Sequence, residues 1–227
     1  MLKNLCLIAT VLFFSISNYA QNACSTYYPF KDGVKFEMTT YDAKDKVSGN
    51  VKYEIKDATD DSVVLFNEVF DDKGTSVLSS EVKLICTEDG ISVDFKSLIS
   101  SAVLEQYEGM NMDIDISGEN INIPNNLSVG QELPDAELLL TMSMASVNMK
   151  MTVNMINRKV VAKEKVTTPA GTFDCFVLNN ETEVNLGMKM KMSSKEWLAK
   201  GVGVVKTEEY DDKGKLLSKS VLTKFED

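Results

Sequence analysis

Methionine is the residue type whose number and spacing could carry chemistry in this chain. The sequence has 12 methionines, and most of the later ones recur at alternate positions. The alternating set is Met142, Met144, Met149, Met151, Met155, Met188, Met190 and Met192. Residues two apart in a β-strand point to the same face, so three neighbouring strands would present one wall of thioethers.

Three kinds of structure fit this wall, and the sequence leaves them open. Methionine is flexible and fills irregular gaps, which suits a packed hydrophobic core. The same flexibility suits the lining of a pocket for an apolar, lipid-like ligand. Thioether sulfur also binds Cu(I), but these segments hold no histidine or tryptophan to complete such a site, and we predict no metal and no cofactor. We expect a packed core that opens into a shallow apolar pocket at one end.

Most catalytic chemistry is excluded by residue types that are missing. The chain has no histidine, which removes Ser-His-Asp and Cys-His nucleophiles and imidazole metal sites. Arg158 is the only arginine, and 34 acidic residues outnumber 24 basic ones, so a nucleic-acid surface is excluded as well. The pair Gly201 and Gly203 precedes a strand rather than the helix that a nucleotide loop needs. We predict a protein without enzymatic activity; a hydrolase with an acidic site is the less favoured alternative.

The segment Met1–Ala20 has the features of a secretory signal peptide. Lys3 supplies the positive start, Leu5–Phe14 is an unbroken apolar run, and a polar stretch leads to a cleavage point near Ala20-Gln21. The run is too short to span a membrane, and no longer one follows. We therefore predict a periplasmic or secreted protein without a transmembrane segment, in which residues 21–227 form a single domain.

Three cysteines follow the signal peptide: Cys24, Cys86 and Cys175. In an oxidising compartment this odd number indicates one disulfide and one free thiol. If the first four strands form two successive hairpins, Cys24 and Cys86 lie at the same end of the sheet, near turns where their Cα atoms can approach. Cys175 alternates with Phe173 and Val177 on one strand face. We predict a Cys24–Cys86 disulfide and a buried Cys175 thiol.

The elements that position these residues are mostly strands. Alternating segments include residues 34–41, 51–55, 82–84, 172–178 and 184–192. A helical period occurs in Ser97–Tyr107, which Gly109 would end. The irregular stretch Gly118–Pro134 is predicted to join two halves of one domain, and Ser193-Ser194-Lys195 is interpreted as a turn at a strand end. The expected fold is mostly β: an antiparallel β-barrel or strongly curved half-barrel of about ten strands with one or two short helices.

A short pattern recurs at three strand ends and predicts three hairpin tips of one type. The segments are Tyr41–Lys46, Phe70–Thr75 and Tyr210–Lys215. In each, an aromatic residue ends the strand, and the fifth position is Asp45, Gly74 or Gly214, which tolerate a left-handed backbone. We interpret their aspartates as turn residues rather than ligands for a metal.

Three longer segments resemble the TapB-like exported family. They are YYPFKDG at 27–33, TTPAGTFDC at 167–175 and WLAKGVGVVK at 197–206. The segments occur in the expected order and extend over nearly the whole mature chain. That family is a domain of unknown function in periplasmic proteins of gram-negative bacteria, and the resemblance implies a β-barrel-like fold and an envelope location. It supplies no catalytic residues. Leu198 stands where such domains usually have an aromatic residue, a departure that affects packing rather than chemistry.

These observations together predict a non-enzymatic envelope protein that binds either an apolar, lipid-like ligand or a protein partner. The eight alternating methionines would form the wall of the ligand pocket. The alternative within the same compartment is a structural or assembly factor of the outer envelope.

Overall fold

The computed structural model describes residues 24–98, 113–144 and 147–227, which form an antiparallel sheet of 13 strands. One short 3₁₀ helix, Phe95–Leu98, is the only helix within these ranges. The strands are β1 (Lys35–Asp42), β2 (Val47–Lys56), β3 (Ser62–Asp71), β4 (Ser76–Cys86), β5 (Gly90–Val93), β6 (Asp113–Glu119), β7 (Ile121–Pro124), β8 (Ala136–Met144), β9 (Val147–Thr168), β10 (Gly171–Leu186), β11 (Met188–Ala199), β12 (Gly203–Asp211) and β13 (Leu216–Glu226).

The sheet curls until its two edge strands are neighbours in sequence. The strand order is β6-β8-β9-β10-β11-β12-β13-β1-β2-β3-β4-β5-β7. Only Asn120 separates the two edges, β6 and β7, along the chain. A sheet whose edges are joined this closely is a nearly closed barrel. The prediction of a mostly β, antiparallel barrel or half-barrel is confirmed, but with 13 strands rather than about ten.

Arg158 links β9 to β7, the edge strand at the other end of the strand order. It lies on β9 and is buried. Its guanidinium donates to the carbonyl of Asn122 on β7, at 3.1 Å, and to the carbonyl of Pro134. The backbone of β9 also pairs with the residues before Pro134, through Leu133 N–H to the Arg158 carbonyl at 2.8 Å. The stretch Gly118–Pro134, interpreted as an irregular connection, is therefore the seam of the barrel and contains β7.

The short strands at this seam account for part of the difference in strand number. β5 and β7 have four residues each. They pair with one another, from Gly90 opposite Pro124 to Val93 opposite Ile121. Four residues are too few for alternation to distinguish a strand from a loop. Their strand character comes from the neighbouring chain.

Strands β10 and β11 are longer than the alternation predicted. Leu178, predicted as a strand end, and Ser193-Ser194-Lys195, interpreted as a turn, both lie inside the β10–β11 ladder. Asn180 is buried there. Its amide donates to Glu196 at 3.4 Å and accepts from the Ser194 hydroxyl at 2.9 Å. These polar residues form hydrogen bonds with each other inside the barrel. In the sequence they interrupt the apolar alternation, and the strands were therefore predicted to end there.

The turn between β10 and β11 falls at Gly187, inside the predicted strand 184–192. Gly187 has a φ of 76°, in the left-handed region that glycine favours. Leu186 and Met188 face each other directly across this turn. Because they are two residues apart in sequence, the alternation continues in phase through the turn. The two-residue alternation of the sequence therefore could not reveal the turn at Gly187.

The core fills one end of the barrel, which we call the closed end. The largest fully buried side chains include Ile55 near the end of β2, Leu84 near the end of β4 and Leu198 near the end of β11. The segment before β1 crosses this end: Tyr27 is fully buried, and the Thr26 carbonyl accepts from Gly201 N–H at 3.0 Å. The hairpin tips lie at the opposite, open end.

The structure contains the predicted disulfide between Cys24 and Cys86, with their Cα atoms 5.3 Å apart. It ties the segment before β1 to the end of β4 at the closed end. Cys175 is free and buried. Burial raises the pKa of its thiol to about 11, so the thiol is an unreactive part of the core.

The three hairpin tips share one geometry, as predicted. Asp45, Gly74 and Gly214 have φ values of 62°, 81° and 76°. In each tip the first aspartate accepts from the backbone N–H groups two and four residues ahead; for Asp211 these are Lys213 at 2.9 Å and Lys215 at 2.8 Å. These bonds lower the pKa of Asp211. The aspartates are therefore turn residues.

Some sequence predictions concern residues outside the described ranges. The signal peptide Met1–Ala20 is among them, and so are residues 99–107 of the predicted helix Ser97–Tyr107. Both remain predictions.

Candidate functional site

A cavity of about 530 Å³ lies inside the curved sheet. Its lining comes from β1 to β4, β11 to β13, the end of β5 and the segment before β1. In the sheet, β4 and β12 are separated by four other strands. Residues of both can line one cavity only because the sheet wraps around it.

The lining of this cavity is mostly apolar and is fixed by strand alternation. Phe36 and Met38 of β1, Leu65 of β3, and Val82 and Leu84 of β4 all point into it. These side chains are buried. They lie at positions two apart, as one face of a strand requires. The inner face of this half of the sheet is thus largely apolar.

The opposite face of the same strands carries charges. Lys224, Glu37, Lys52 and Glu68 lie side by side across β13, β1, β2 and β3. The Lys224 ammonium is 3.1 Å from the Glu37 carboxylate. A hollow of about 290 Å³ on this outer surface lies among these long side chains. Such exposed ion pairs solvate a surface and stabilise it little, so we place the candidate site in the inner cavity.

A set of polar side chains lines one part of the cavity wall. It comprises Asn67, Ser80, Glu196, Thr207, Glu209 and Ser220. Several are bonded to each other or to neighbours: Ser80 donates to Asn67 at 2.8 Å, and Ser218 donates to Glu209 at 2.9 Å. The charged members are both glutamates, and no described lysine or arginine lines the cavity.

A smaller chamber of about 110 Å³ lies next to the cavity, beside the seam. Tyr28, Val93 and Glu196 line both spaces, while Arg158 and Asn179 line only the smaller one. The side-chain carbonyl oxygen of Asn179 is buried without a hydrogen-bond partner. A buried polar atom normally has a partner, so the chamber offers an unused acceptor.

Glu196 lies at the junction of the two spaces. Loss of solvation raises the pKa of its carboxyl, and the nearby Glu209 acts in the same direction. Arg158 and the amide of Asn180 oppose this shift. Burial also raises the pKa of the Tyr28 hydroxyl, with a contribution from Glu196. The arrangement can hold a polar group of a ligand, while the surrounding side chains hold an apolar one.

The methionines predicted to form a pocket wall occupy several environments. Met142 is buried, Met151 and Met155 are half-buried, and Met155 lines the smaller chamber. β10, which has no methionine, lies between β9 and β11. The Met144 side chain lies outside the described part of the structure.

The remaining methionines form an exposed surface with Leu186. We call Met149, Leu186, Met188, Met190 and Met192 the methionine face; their exposed fractions run from 40% to 77%. The β10–β11 register has no shift, so Met188, Met190 and Met192 lie on the same side of the sheet as Glu196. The methionine face therefore extends the inner surface of the sheet towards the open end.

Sequence reasoning did not identify the residues that line the cavity. Phe36, Leu65 and Val82 were visible only as the apolar half of ordinary alternating strands. Glu196 lay beside the supposed turn at residues 193–195. The available signal was the alternation of Ser194, Glu196 and Leu198, which places a carboxylate on the same face as a core leucine.

Two kinds of feature are absent from the described residues. In these ranges no helix is long and apolar enough to cross a membrane. Within the same part of the chain, no group of three or more His, Cys, Asp or Glu residues is placed to hold a metal ion.

Two solved structures resemble this chain. One is from Bacteroides fragilis NCTC 9343 and is described as an exported protein with a YmcC-like fold. It is 25% identical, and the match covers 90% of this chain and 100% of that one with a TM-score of 0.69. The other, from Parabacteroides distasonis ATCC 8503, is described as a lipoprotein; it is 22% identical over 89% of this chain and 99% of that one, with a TM-score of 0.67.

The comparison with protein families identifies the family of this chain. No curated protein matches the sequence. The family model that matches is DUF3108-like, and it covers residues 31–222. This range includes twelve of the strands in full and most of β13. The chain belongs to the DUF3108-like family.

Proposed function

We propose that this protein is an exported, non-enzymatic binding protein that holds an apolar, lipid-like ligand inside its barrel. The observation that supports this most directly is the cavity of about 530 Å³ with its apolar lining from Phe36, Leu65 and Val82. Ligand sites are typically concave, mostly apolar and about 300–1,000 Å³ in volume, with a few polar groups that orient the ligand. Glu196, Glu209 and Asn67 would serve as those polar groups.

Export is supported by the signal-like segment Met1–Ala20 and by the description of the similar Bacteroides protein as exported. The disulfide between Cys24 and Cys86 also suits an oxidising compartment. We propose a periplasmic or secreted location for residues 21–227 as a single TapB-like domain.

Fewer methionines contact the ligand in this proposal than the sequence alone predicts. Met155 would contact a ligand in the smaller chamber, and Met38 in the main cavity. The methionine face adjoins the cavity on the same side of the sheet and would add apolar surface beside it. The flexible thioethers can adapt to chains of different shape.

Native mass spectrometry of the protein isolated from its own periplasm tests the proposal directly. We expect a reproducible extra mass, released by organic solvent, that corresponds to a small apolar molecule. A clean mass of the protein alone, together with a stoichiometric envelope protein, would favour the assembly factor instead.

A matched pair of variants then localises the ligand. Val69 of β3 lines the cavity, while Val77 of β4 is 61% exposed and does not line it. Val69→Trp should fill the cavity and weaken binding of N-phenyl-1-naphthylamine about tenfold, equivalent to about 1.4 kcal/mol. Val77→Trp should leave probe fluorescence unchanged. Equal binding by both variants and the wild type would place the ligand elsewhere and refute the cavity.

A further inference from the structure

We infer that the cavity selects a cationic amphiphile: an alkyl chain that carries an ammonium group, held by the carboxylates of Glu196 and Glu209. This inference rests on the proposed function and adds to it the charge of the ligand. It excludes fatty acids and anionic phospholipid headgroups as the preferred occupants.

The charge of the lining is the first observation. Glu196 and Glu209 are the charged side chains on the wall of the main cavity, and no described lysine or arginine lines it. The other polar groups, among them Thr207 and Ser220, are neutral. An anionic head would enter a space that already holds negative charge, and the chain as a whole has a net charge of −10. Repulsion between an anionic head group and the two glutamates would oppose binding.

The placement of the two glutamates is the second observation. On the inner face, Glu196 of β11 lies opposite Thr207 of β12, and Ser194 lies opposite Glu209. Glu196 and Glu209 are therefore diagonal neighbours, a relation in which Cα atoms are about 7–8 Å apart. Glu209 also contributes to raising the pKa of Glu196, as a nearby like charge does. An ammonium group between them would contact two carboxylates and remove their mutual repulsion.

Arg158 acts on the charge of Glu196, but it does so from outside the main cavity. It lines the smaller chamber rather than the main cavity. Two of its donor groups are used by the carbonyls of Asn122 and Pro134 at the seam.

The apolar wall continues from this acidic position. Leu65, Val82 and Leu84 are buried and line the same cavity. An amphiphile fits this division, with its chain against the leucines and valine and its head beside the two glutamates. The cavity itself, rather than the acidic pair alone, is thus what defines the site.

Competition among three amphiphiles with chains of nearly equal length and different head groups tests the inference. Dodecyltrimethylammonium, dodecyl maltoside and dodecanoate, each below its micelle concentration, are titrated against bound N-phenyl-1-naphthylamine. We expect dodecyltrimethylammonium to displace the probe at about one tenth of the concentration that dodecanoate requires. We call the dodecanoate concentration divided by the dodecyltrimethylammonium concentration the displacement ratio, with an expected value of about ten. Raising the ionic strength should reduce this displacement ratio, because salt screens the attraction between the ammonium group and the glutamates.

Variants assign the preference to the two glutamates. Glu209→Gln and Glu196→Gln should each reduce the displacement ratio several-fold. Binding of N-phenyl-1-naphthylamine by each variant shows that its cavity is intact. Glu81→Gln is the matched control, since Glu81 is exposed on the outer face of β4, and it should leave the ratio unchanged.

The outcomes separate the inference from the function on which it rests. Probe binding with equal or stronger displacement by dodecanoate would overturn the cationic preference and leave the apolar-ligand function standing. A preference that both variants retain, or that high salt leaves unchanged, would overturn it as well. Failure of every probe to bind would refute the proposed function and this inference together.

Discussion

The inner cavity and the methionine face are two apolar surfaces on the same side of the same sheet, but only the cavity is enclosed. The cavity wall at Leu84 is 2% exposed, whereas Met190 on the methionine face is 53% exposed. Both surfaces arise from alternating strands, and the β10–β11 ladder connects them without a change of register.

The difference comes from what lies opposite each surface. Around the cavity, the sheet curls so that β11 and β12 face β3 and β4 across the enclosed space. At the methionine face, β12 ends at Asp211 opposite Met192. Met188 and Met190 on the β10–β11 hairpin therefore extend beyond the neighbouring strand and meet no opposite wall in the described ranges. Enclosure is a property of the whole sheet rather than of the strand that carries the apolar residues.

The largest expected effect separates the two surfaces by stability. Leu84→Ala should lower the free energy of unfolding by about 2–5 kcal/mol, because it removes a fully buried side chain that packs in the core cluster beside the cavity. Met190→Ala, on an exposed position, should change it by less than about 0.5 kcal/mol. Urea unfolding followed by Trp197 fluorescence measures both. Similar losses at the two positions would mean that the methionine face is covered in solution.

The next effect tests what encloses the cavity. Arg158→Met should cost about 2–3 kcal/mol, because the seam carbonyls of Asn122 and Pro134 lose their charged donor in a buried position. Hydrogen exchange should accelerate in β7, while exchange at the core strand β13 should change less. Lys159→Met is the control, since Lys159 is exposed beside Arg158. Unchanged exchange in β7 would show that the seam holds without the arginine.

The smallest effect concerns the polar part of the enclosed surface and depends on pH. Loss of solvation raises the pKa of Glu196 in the folded protein, above the value of about 4.3 for an unfolded chain. The folded state therefore binds this proton more tightly, and stability falls as pH rises from the unfolded pKa through the folded one. Arg158 and Glu209 are the charged groups that act on it.

Glu196→Gln should remove this loss. Its free energy of unfolding relative to the wild type should be higher at about pH 8 than at about pH 4. Urea unfolding at both pH values measures the difference, with Glu81→Gln as the exposed control. A difference that is constant with pH would show that burial does not favour the protonated carboxyl.

Local features of the fold could be read from the sequence because each depends on a few adjacent residues. The three hairpin tips are examples: Asp45, Gly74 and Gly214 all have the left-handed backbone that their residue types tolerate. The pairing of Cys24 with Cys86 was also predictable, since successive hairpins return the chain to the same end of the sheet.

The candidate site was less predictable, and the reason differs between its parts. Phe36 and Leu65 alternate like any buried strand residues, so their role as a cavity wall has no local mark. Asn180 and Glu196 misled the prediction of strand ends, because their polar side chains satisfy one another inside the barrel. The type and spacing of the methionines predicted a pocket wall, but many of them lie where the sheet does not enclose a space.

The sequence by itself determined the alternation of the strands, the hairpin tips, the cysteine pairing and the class of fold, because side-chain spacing and turn chemistry act over a few residues. The tertiary structure decided which apolar surface became a cavity. That outcome depends on Arg158 joining β9 to the carbonyl of Asn122 on β7 across the seam, and on where β12 ends beside the longer β11. Such contacts join residues far apart in the chain, and the period of a single strand carries no information about them.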